Sequence, residues 1–432
     1  MDTQELTRVG PGTPMGDFMR QFWVPALLSS ELKADGAPVR LLLLGEKLIA
    51  FRTTSGRVGI MDHRCAHRCA SLFYGRNEQD GLRCVYHGWK FDADGKCVDA
   101  PNVRSRRPIH PTIKTRAYRT NEVHGVVWIY MGQRESPPPL PKLPVLAFPS
   151  ERVHVWCMQR ECNYLQAMEG DLDTSHTGFL HYGGGMGVES EVNEKIAETI
   201  SLSTLDPEFK VVDTPCGVMA GAFRPADEQN TYWRFTNFIL PCFSQVPPCR
   251  LGSEAILRAW VPMDDTHTMF FSITTESFQL SRSPNANIRP VRQAGLTMDY
   301  EYLPNTTDWY GRWRPASNLS NDHMIDREVQ RTSSYSGIEG LDMQDAAVTE
   351  SMGSIVDHEL ENLAQSDLLV VRTRRKMLEG MRAWQNERKL PSVIDDSELY
   401  SDRWSGHVIV PNNLDMLDAY RDNIPKNVNA AA

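Results

Sequence analysis

Cys65-Ala-His67 and, with 16 residues between, Cys84-Val-Tyr-His87-Gly88-Trp89 decide how this chain is read. Each arm offers one thiolate and one imidazole. A structural zinc finger groups its cysteines in one arm and its histidines in the other. The alternation here suits a two-iron cluster held between two loops, with the cysteines on one iron and the histidines on the other. Neutral imidazoles in place of two thiolates remove negative charge. They raise the reduction potential to about −150 to +300 mV, against about −400 mV for an all-cysteine cluster. Zinc, or a chance meeting of ligand-type residues, is the competing reading. Gly75, Gly81 and Gly88 suit tight loops around such a cluster. Cys69 and His63 fall outside the pattern and read as packing or as hydrogen-bonding neighbours of the ligands. Cys97, Cys157, Cys162, Cys216, Cys242 and Cys249 read as small apolar core residues.

Outward from these arms, the first 130 residues read as short strands, clearest at 39–44, 48–52, 58–61 and 126–130, with Gly and Asp clusters between them. Residues 135–144 hold five prolines, an extended and stiff stretch that marks a boundary between domains 1–145 and 146–432. The second part predicts a helix over 164–180, strands through 271, and helices toward the C-terminus. One of these covers 367–384, with Ser366 as its N-cap. Residues 281–292 and those after 423 read as loop and loose end.

The other informative stretch is Asp171-Leu-Asp173-Thr-Ser-His176-Thr-Gly178-Phe-Leu-His181. Two histidines and a carboxylate, with positions left open, form the facial triad of O2-activating Fe(II) enzymes. Residues five apart on a straight helix point about 140° apart, so Gly178 must let the helix end or bend. Asp173, three residues before His176, would share its helix face and accept a hydrogen bond from that imidazole. Taken alone, a histidine pair is more often structural. The cluster upstream gives it weight, because electrons need a destination.

Composition agrees. The chain has 432 residues, 41% hydrophobic and 23% charged, enough for sizeable cores without disulfides. A net charge of −9 argues against nucleic acid as a partner. No apolar run approaches the roughly 20 residues of a membrane span, and nine scattered cysteines point to a reducing cytoplasm.

With both sites in hand, the chain resembles the Rieske non-haem iron oxygenases, specifically the phthalate dioxygenase-type α subunits of aromatic ring-hydroxylating enzymes. The resemblance implies an α+β chain: an N-terminal all-β Rieske domain, then a helix-grip catalytic domain of antiparallel sheet and helices. It implies that Cys65, His67, Cys84 and His87 bind the Rieske [2Fe–2S] cluster and that His176 and His181 bind mononuclear iron. Asp173 takes the bridging role toward a neighbouring subunit's cluster. Asp345, in Met343-Gln-Asp345-Ala-Ala-Val-Thr-Glu350, matches the third iron ligand, with Asp342 and Glu350 as rivals. His323 and His358 read as packing or surface residues. The branch works as homotrimers or stacked-trimer hexamers and takes NAD(P)H electrons through a separate flavin iron–sulfur reductase.

The expected activity is O2-dependent cis-dihydroxylation of an aromatic acid, a phthalate isomer or substituted benzoate, leaning to isophthalate or 3-chlorobenzoate. Arg234, in Thr231-Tyr-Trp-Arg-Phe, is the candidate for the substrate carboxylate, since a guanidinium meets two oxygens in parallel. Arg224, Arg250 and Arg258 are lesser candidates. A monooxygenase that demethylates a methoxylated ring is the alternative within the fold. An electron carrier without oxygen chemistry is the alternative outside it, and needs only about the first 130 residues.

Overall fold

The computed structural model describes residues 4–103, 113–181, 206–275, 300–332 and 334–426. The loop expected over 281–292 lies outside them. The N-terminal part contains β1 (Trp23–Leu28), β2 (Val39–Leu43), β3 (Glu46–Arg52), β4 (Val58–Asp62), β5 (Arg76–Glu78), β6 (Gly81–Arg83), β7 (Lys90–Phe91), β8 (Cys97–Asp99), β9 (Ala117–Val123) and β10 (Val126–Tyr130). They form a six-stranded antiparallel sheet, β1-β10-β9-β4-β3-β2, and a four-stranded one, β5-β6-β7-β8. The four strands expected from branched and aromatic runs are all present, shifted by two residues at most.

The strand period of two builds two cores from one sheet. Along β3, Leu48 and Ala50 face the large core while Ile49 and Phe51 face a smaller one; on β4, Ile60 and Met61 divide the same way. The smaller core contains Cys65, Cys84 and Trp89, so this sheet is the floor beneath the cysteine–histidine arms. The large core runs without a break from this sheet into the second part of the chain.

That second part has a sheet of β11 (Val153–Arg160), β12 (Glu208–Thr214), β13 (Gly217–Pro225), β14 (Asn230–Ile239), β15 (Phe243–Gln245), β16 (Ile256–Pro262), β17 (Thr268–Thr275) and β18 (Gly406–Pro411). It runs β11-β17-β16-β15-β14-β13-β12, and β18 returns from near the C-terminus to pair with β14. Two short helices, α1 (Gln4–Thr7) and α2 (Pro14–Met19), belong to this part in space. Tyr164 Oη donates to Leu6 O (2.8 Å) and Asn163 Nδ2 to Thr7 O (2.9 Å).

Further helices are α3 (Tyr164–Leu172), α4 (Leu341–Ser351), α5 (Leu368–Glu387) and α6 (Met416–Arg421), and a short helix spans Arg327–Thr332. Helix α2 nests on α5, where a Cβ at Gly380 would meet the Phe18 ring at 2.8 Å. Two helix expectations need correction. Helix α3 stops at Leu172 rather than 180, because Asp173 takes an extended backbone (ψ 99°) and its carboxylate accepts from Ser175 N (2.8 Å). Helix α5 starts after Asp367, not after a Ser366 cap: the Asp367 carboxylate reaches back to Ala364 N (2.6 Å). No helix among the described residues is long and apolar enough to cross a membrane.

Candidate metal centres

The loops after β4 and β6 repeat one turn. Cys65 N donates to Ala70 O and Cys84 N to Trp89 O, both at 2.8 Å; Cys69 N donates to Cys65 O and Gly88 N to Cys84 O, both at 2.9 Å. The fourth residue after each cysteine is left-handed, with φ +57° at Cys69 and +79° at Gly88. Glycine takes that conformation freely, and Cys69 takes it against its Cβ. Cys69 is thus a hydrogen-bonding neighbour of Cys65 through its main chain.

The two thiols are buried and the two imidazoles half-buried. Burial, with the Cys84 thiol adding to it, pushes the Cys65 thiol up to about 11. The His67 and His87 rings lie 4.5 Å apart at 76°, and Trp89 stacks on His67 at 4.6 Å. Trp89 is itself held by donating Nε1 to Asn102 Oδ1 (2.8 Å). His67 Nδ1 is buried with no hydrogen-bond partner among the described residues. A buried orphan nitrogen beside two buried thiols fits a metal cluster, because thiolate and imidazole lone pairs are what such a cluster binds.

Beyond Asp173 the chain forms a π-type turn, Thr177–His181. Its i→i+5 repeat brings residues five apart onto one side. The expected bend at Gly178 is therefore a widened turn, and it solves the 140° problem. His176 Nε2 and His181 Nε2 lie 3.2 Å apart. Asp345 Oδ1, from the second turn of α4, lies 3.5 Å from the first and 3.2 Å from the second. A metal ion about 2.1 Å from three donors at right angles would leave them about 3.0 Å apart. The triangle is the right size. Burial alone would raise the Asp345 carboxyl, but His181, His176 and Arg258 outweigh it and hold it well below the usual carboxylate range.

Neither rival carboxylate is available. Asp342 accepts from Arg258 Nη2 (2.7 Å) and from Tyr300, while Glu350 accepts from Arg160 Nε (3.0 Å). His323 lies buried near Glu350, and His358 meets Glu361 at 3.0 Å. A second acidic grouping, Glu169, His358 and Glu361, has the Arg374 guanidinium bonded to both carboxylates.

The ring partners differ from expectation in one respect. His176 Nδ1 bonds the main-chain carbonyl of Asp173, whereas the Asp173 carboxylate stands 3.9 Å off and accepts from Ser175. The helix face they were expected to share ends before them. His181 Nδ1 bonds Gln344 Oε1 (2.8 Å), a residue the sequence reading passed over although it adjoins Asp345.

Residues 22–118 match the Rieske [2Fe-2S] domain family, and residues 129–420 match the family described as LigXa C-terminal domain like. The chain is 47% identical to the 3-chlorobenzoate-3,4-dioxygenase oxygenase subunit of Comamonas testosteroni, over 98% of both chains. The chain belongs to the Rieske non-haem iron oxygenases. It is also 35% identical to the phthalate 4,5-dioxygenase oxygenase subunit of Pseudomonas putida, over 90% of this chain and 89% of that one. Among solved structures it is similar to NdmB of Pseudomonas putida CBB5, with TM-score 0.58 at 19% identity over 92% of this chain and 99% of the other. That likeness speaks to the fold.

As a Rieske oxygenase the chain uses a Rieske [2Fe–2S] cluster and a mononuclear iron, with electrons supplied by a reductase partner. Beside the histidine turn lies its arginine-rich patch. Arg234 on β14 is half-buried, and its Nε donates to Thr174 Oγ1 at 3.3 Å, one residue past Asp173. Arg224, on the adjacent strand, is pushed down to about 10 by burial and then by Arg234. His407 pairs with Arg234 across β18 and is pushed down to about 4 by burial, Arg234 and Arg250. Arg250 is exposed. Arg258 is not a substrate residue: it is buried and committed to Asp171 (2.9 Å) and Asp342 (2.7 Å).

Proposed function

We propose that the chain is the terminal oxygenase of an O2- and NAD(P)H-dependent dioxygenase that cis-dihydroxylates an aromatic carboxylate. The isophthalate and 3-chlorobenzoate type is the favoured substrate class. The observation that carries this is the triangle of His176, His181 and Asp345, with edges of 3.2–3.5 Å, and the Arg234 guanidinium bonded to Thr174 two residues before His176. His176, His181 and Asp345 would hold the iron, which when bound supplies the activation of dioxygen. Cys65, His67, Cys84 and His87 would hold the cluster. Asp345 supplies the one negative charge of its ligand set. Arg234 would take the substrate carboxylate by two parallel N–H donors and so fix which ring edge faces the triad. A 47% identical relative that carries 3-chlorobenzoate in its name supports the substrate class.

Asp173 would link the iron site to a neighbouring subunit's cluster. Its backbone is extended, and its carboxylate, which accepts from Ser175, stands 3.9 Å from His176 Nδ1. Exposed Tyr74, Val85 and Tyr86 around the cluster arms support contact with another copy and a homotrimer, alone or stacked as a hexamer. The electron donor would be a flavin iron–sulfur reductase, and free cysteines suit a cytoplasmic setting. The Pro-rich stretch would divide a Rieske domain, 1–145, from a catalytic domain, 146–432.

The test is His176→Ala, assayed with a reductase and O2 over a panel of aryl acids and methoxylated rings. The variant should keep the red chromophore and lose turnover; normal turnover would sink the iron assignment. Wild-type dihydrodiols from benzoate-type acids are expected, and turnover of methoxylated rings alone would move the reading to demethylation.

A further inference from the structure

Gln344 is buried, and its amide orientation is fixed from both ends. Nε2 donates to Ile338 O at 2.9 Å, which leaves Oε1 facing His181 Nδ1 at 2.8 Å. An amide oxygen only accepts, so the proton of a neutral His181 sits on Nδ1 and the lone pair on Nε2. Nε2 is the atom 3.2 Å from both Asp345 Oδ1 and His176 Nε2. We infer that Gln344 is a positioning residue for iron: it fixes the tautomer and orientation of His181 so that Nε2 completes the donor triangle. This rests on the reading of His176, His181 and Asp345 as iron ligands.

The placement follows from helix geometry. Consecutive residues on α4 diverge by about 100°, so Asp345 presents its carboxylate to the triangle while Gln344 reaches behind the His181 ring. One helical turn thus supplies one donor and aims another that comes from 163 residues away. The other imidazole is held in the same manner, by the neutral main-chain carbonyl of Asp173. Both rings lean on uncharged acceptors. Asp345 is left as the one anion of the set.

The experiment uses full-length protein with its cluster in place and the mononuclear iron removed by chelation. Anaerobic Fe(II) titration and the EPR spectrum of the Fe(II)–nitric oxide adduct are read for wild type, Gln344→Leu, Gln344→Glu and Asp345→Ala. Gln344→Leu fills the space without an acceptor. It should weaken Fe(II) binding about 10- to 100-fold with unchanged cluster absorbance. Gln344→Glu keeps an acceptor and should recover most of that loss, with an altered EPR signal from the added charge. Wild-type Fe(II) affinity in Gln344→Leu, or equal losses in both variants, would overturn the inference; equal losses mean packing alone. Asp345→Ala separates the two levels. If it loses iron while Gln344→Leu does not, only Gln344 is misread. If Asp345→Ala also binds iron normally, the iron-site reading itself has failed.

Discussion

Arg234 stands half-buried, where a charge-assisted hydrogen bond to a substrate carboxylate would be worth about 1.5–3 kcal/mol. Arg234→Gln should therefore raise KM for a carboxylated substrate about 10- to 100-fold and change kcat much less. Steady-state kinetics over one aryl acid decide it, and an unchanged KM would move the carboxylate elsewhere. Its neighbour His407 supplies a pH signature. Burial, Arg234 and Arg250 hold its folded pKa at about 4, against about 6.5 unfolded. The unfolded chain then binds the extra proton first, so stability is present above about pH 6.5 and is lost as pH falls toward 4. Melting temperature should drop over that window in wild type and drop less in His407→Gln. Residues of this kind were unequally legible. The cysteines and histidines of the cluster arms stand at fixed spacings within single loops, so their chemistry shows in the chain itself. Asp345 came only through the family resemblance, being 164 residues from His181. Gln344 had no signal, because its role exists only once α4 lies against the histidine turn.

Three elements meet at Arg258. On β16 it pairs Asp171 of α3 with Asp342 of α4, and Ser244 of β15 and Trp260 close the network on Asp171. The pairing holds the histidine-bearing and aspartate-bearing segments in register. Arg258→Met would leave two buried carboxylates uncompensated, a loss of about 3–5 kcal/mol. Urea unfolding should show it, together with weakened iron retention. A loss under about 1 kcal/mol would mean that the carboxylates take up protons at little cost. At this scale periodicity located the strands well, since alternation is local. It failed where a side chain competes with the helix. Asp173 turned its carboxylate onto Ser175 N and ended α3, and the π-type turn that followed has no period to detect. β18 was missed because six residues near the C-terminus gain their partner, β14, only in three dimensions.

Charge divides the whole molecule. Residues 22–118 carry 16 Lys and Arg against 9 Asp and Glu, in a chain of net −9. A basic cluster domain in an acidic chain predicts that copies associate basic face to acidic face. Screening shortens from about 10 Å at 0.1 M to about 3 Å at 1 M salt. Mass by light scattering should therefore fall as salt rises over that range. An oligomer mass unchanged by salt would assign the contact to the apolar rim of Tyr74, Val85 and Tyr86 instead.

The unbroken large core and the N-terminal helices seated on the second sheet also bear on how the chain survives cutting. Arg134 lies in an exposed stretch between the two parts. A trypsin nick there should show two bands on a denaturing gel, yet the fragments should travel as one species through gel filtration and keep their colour.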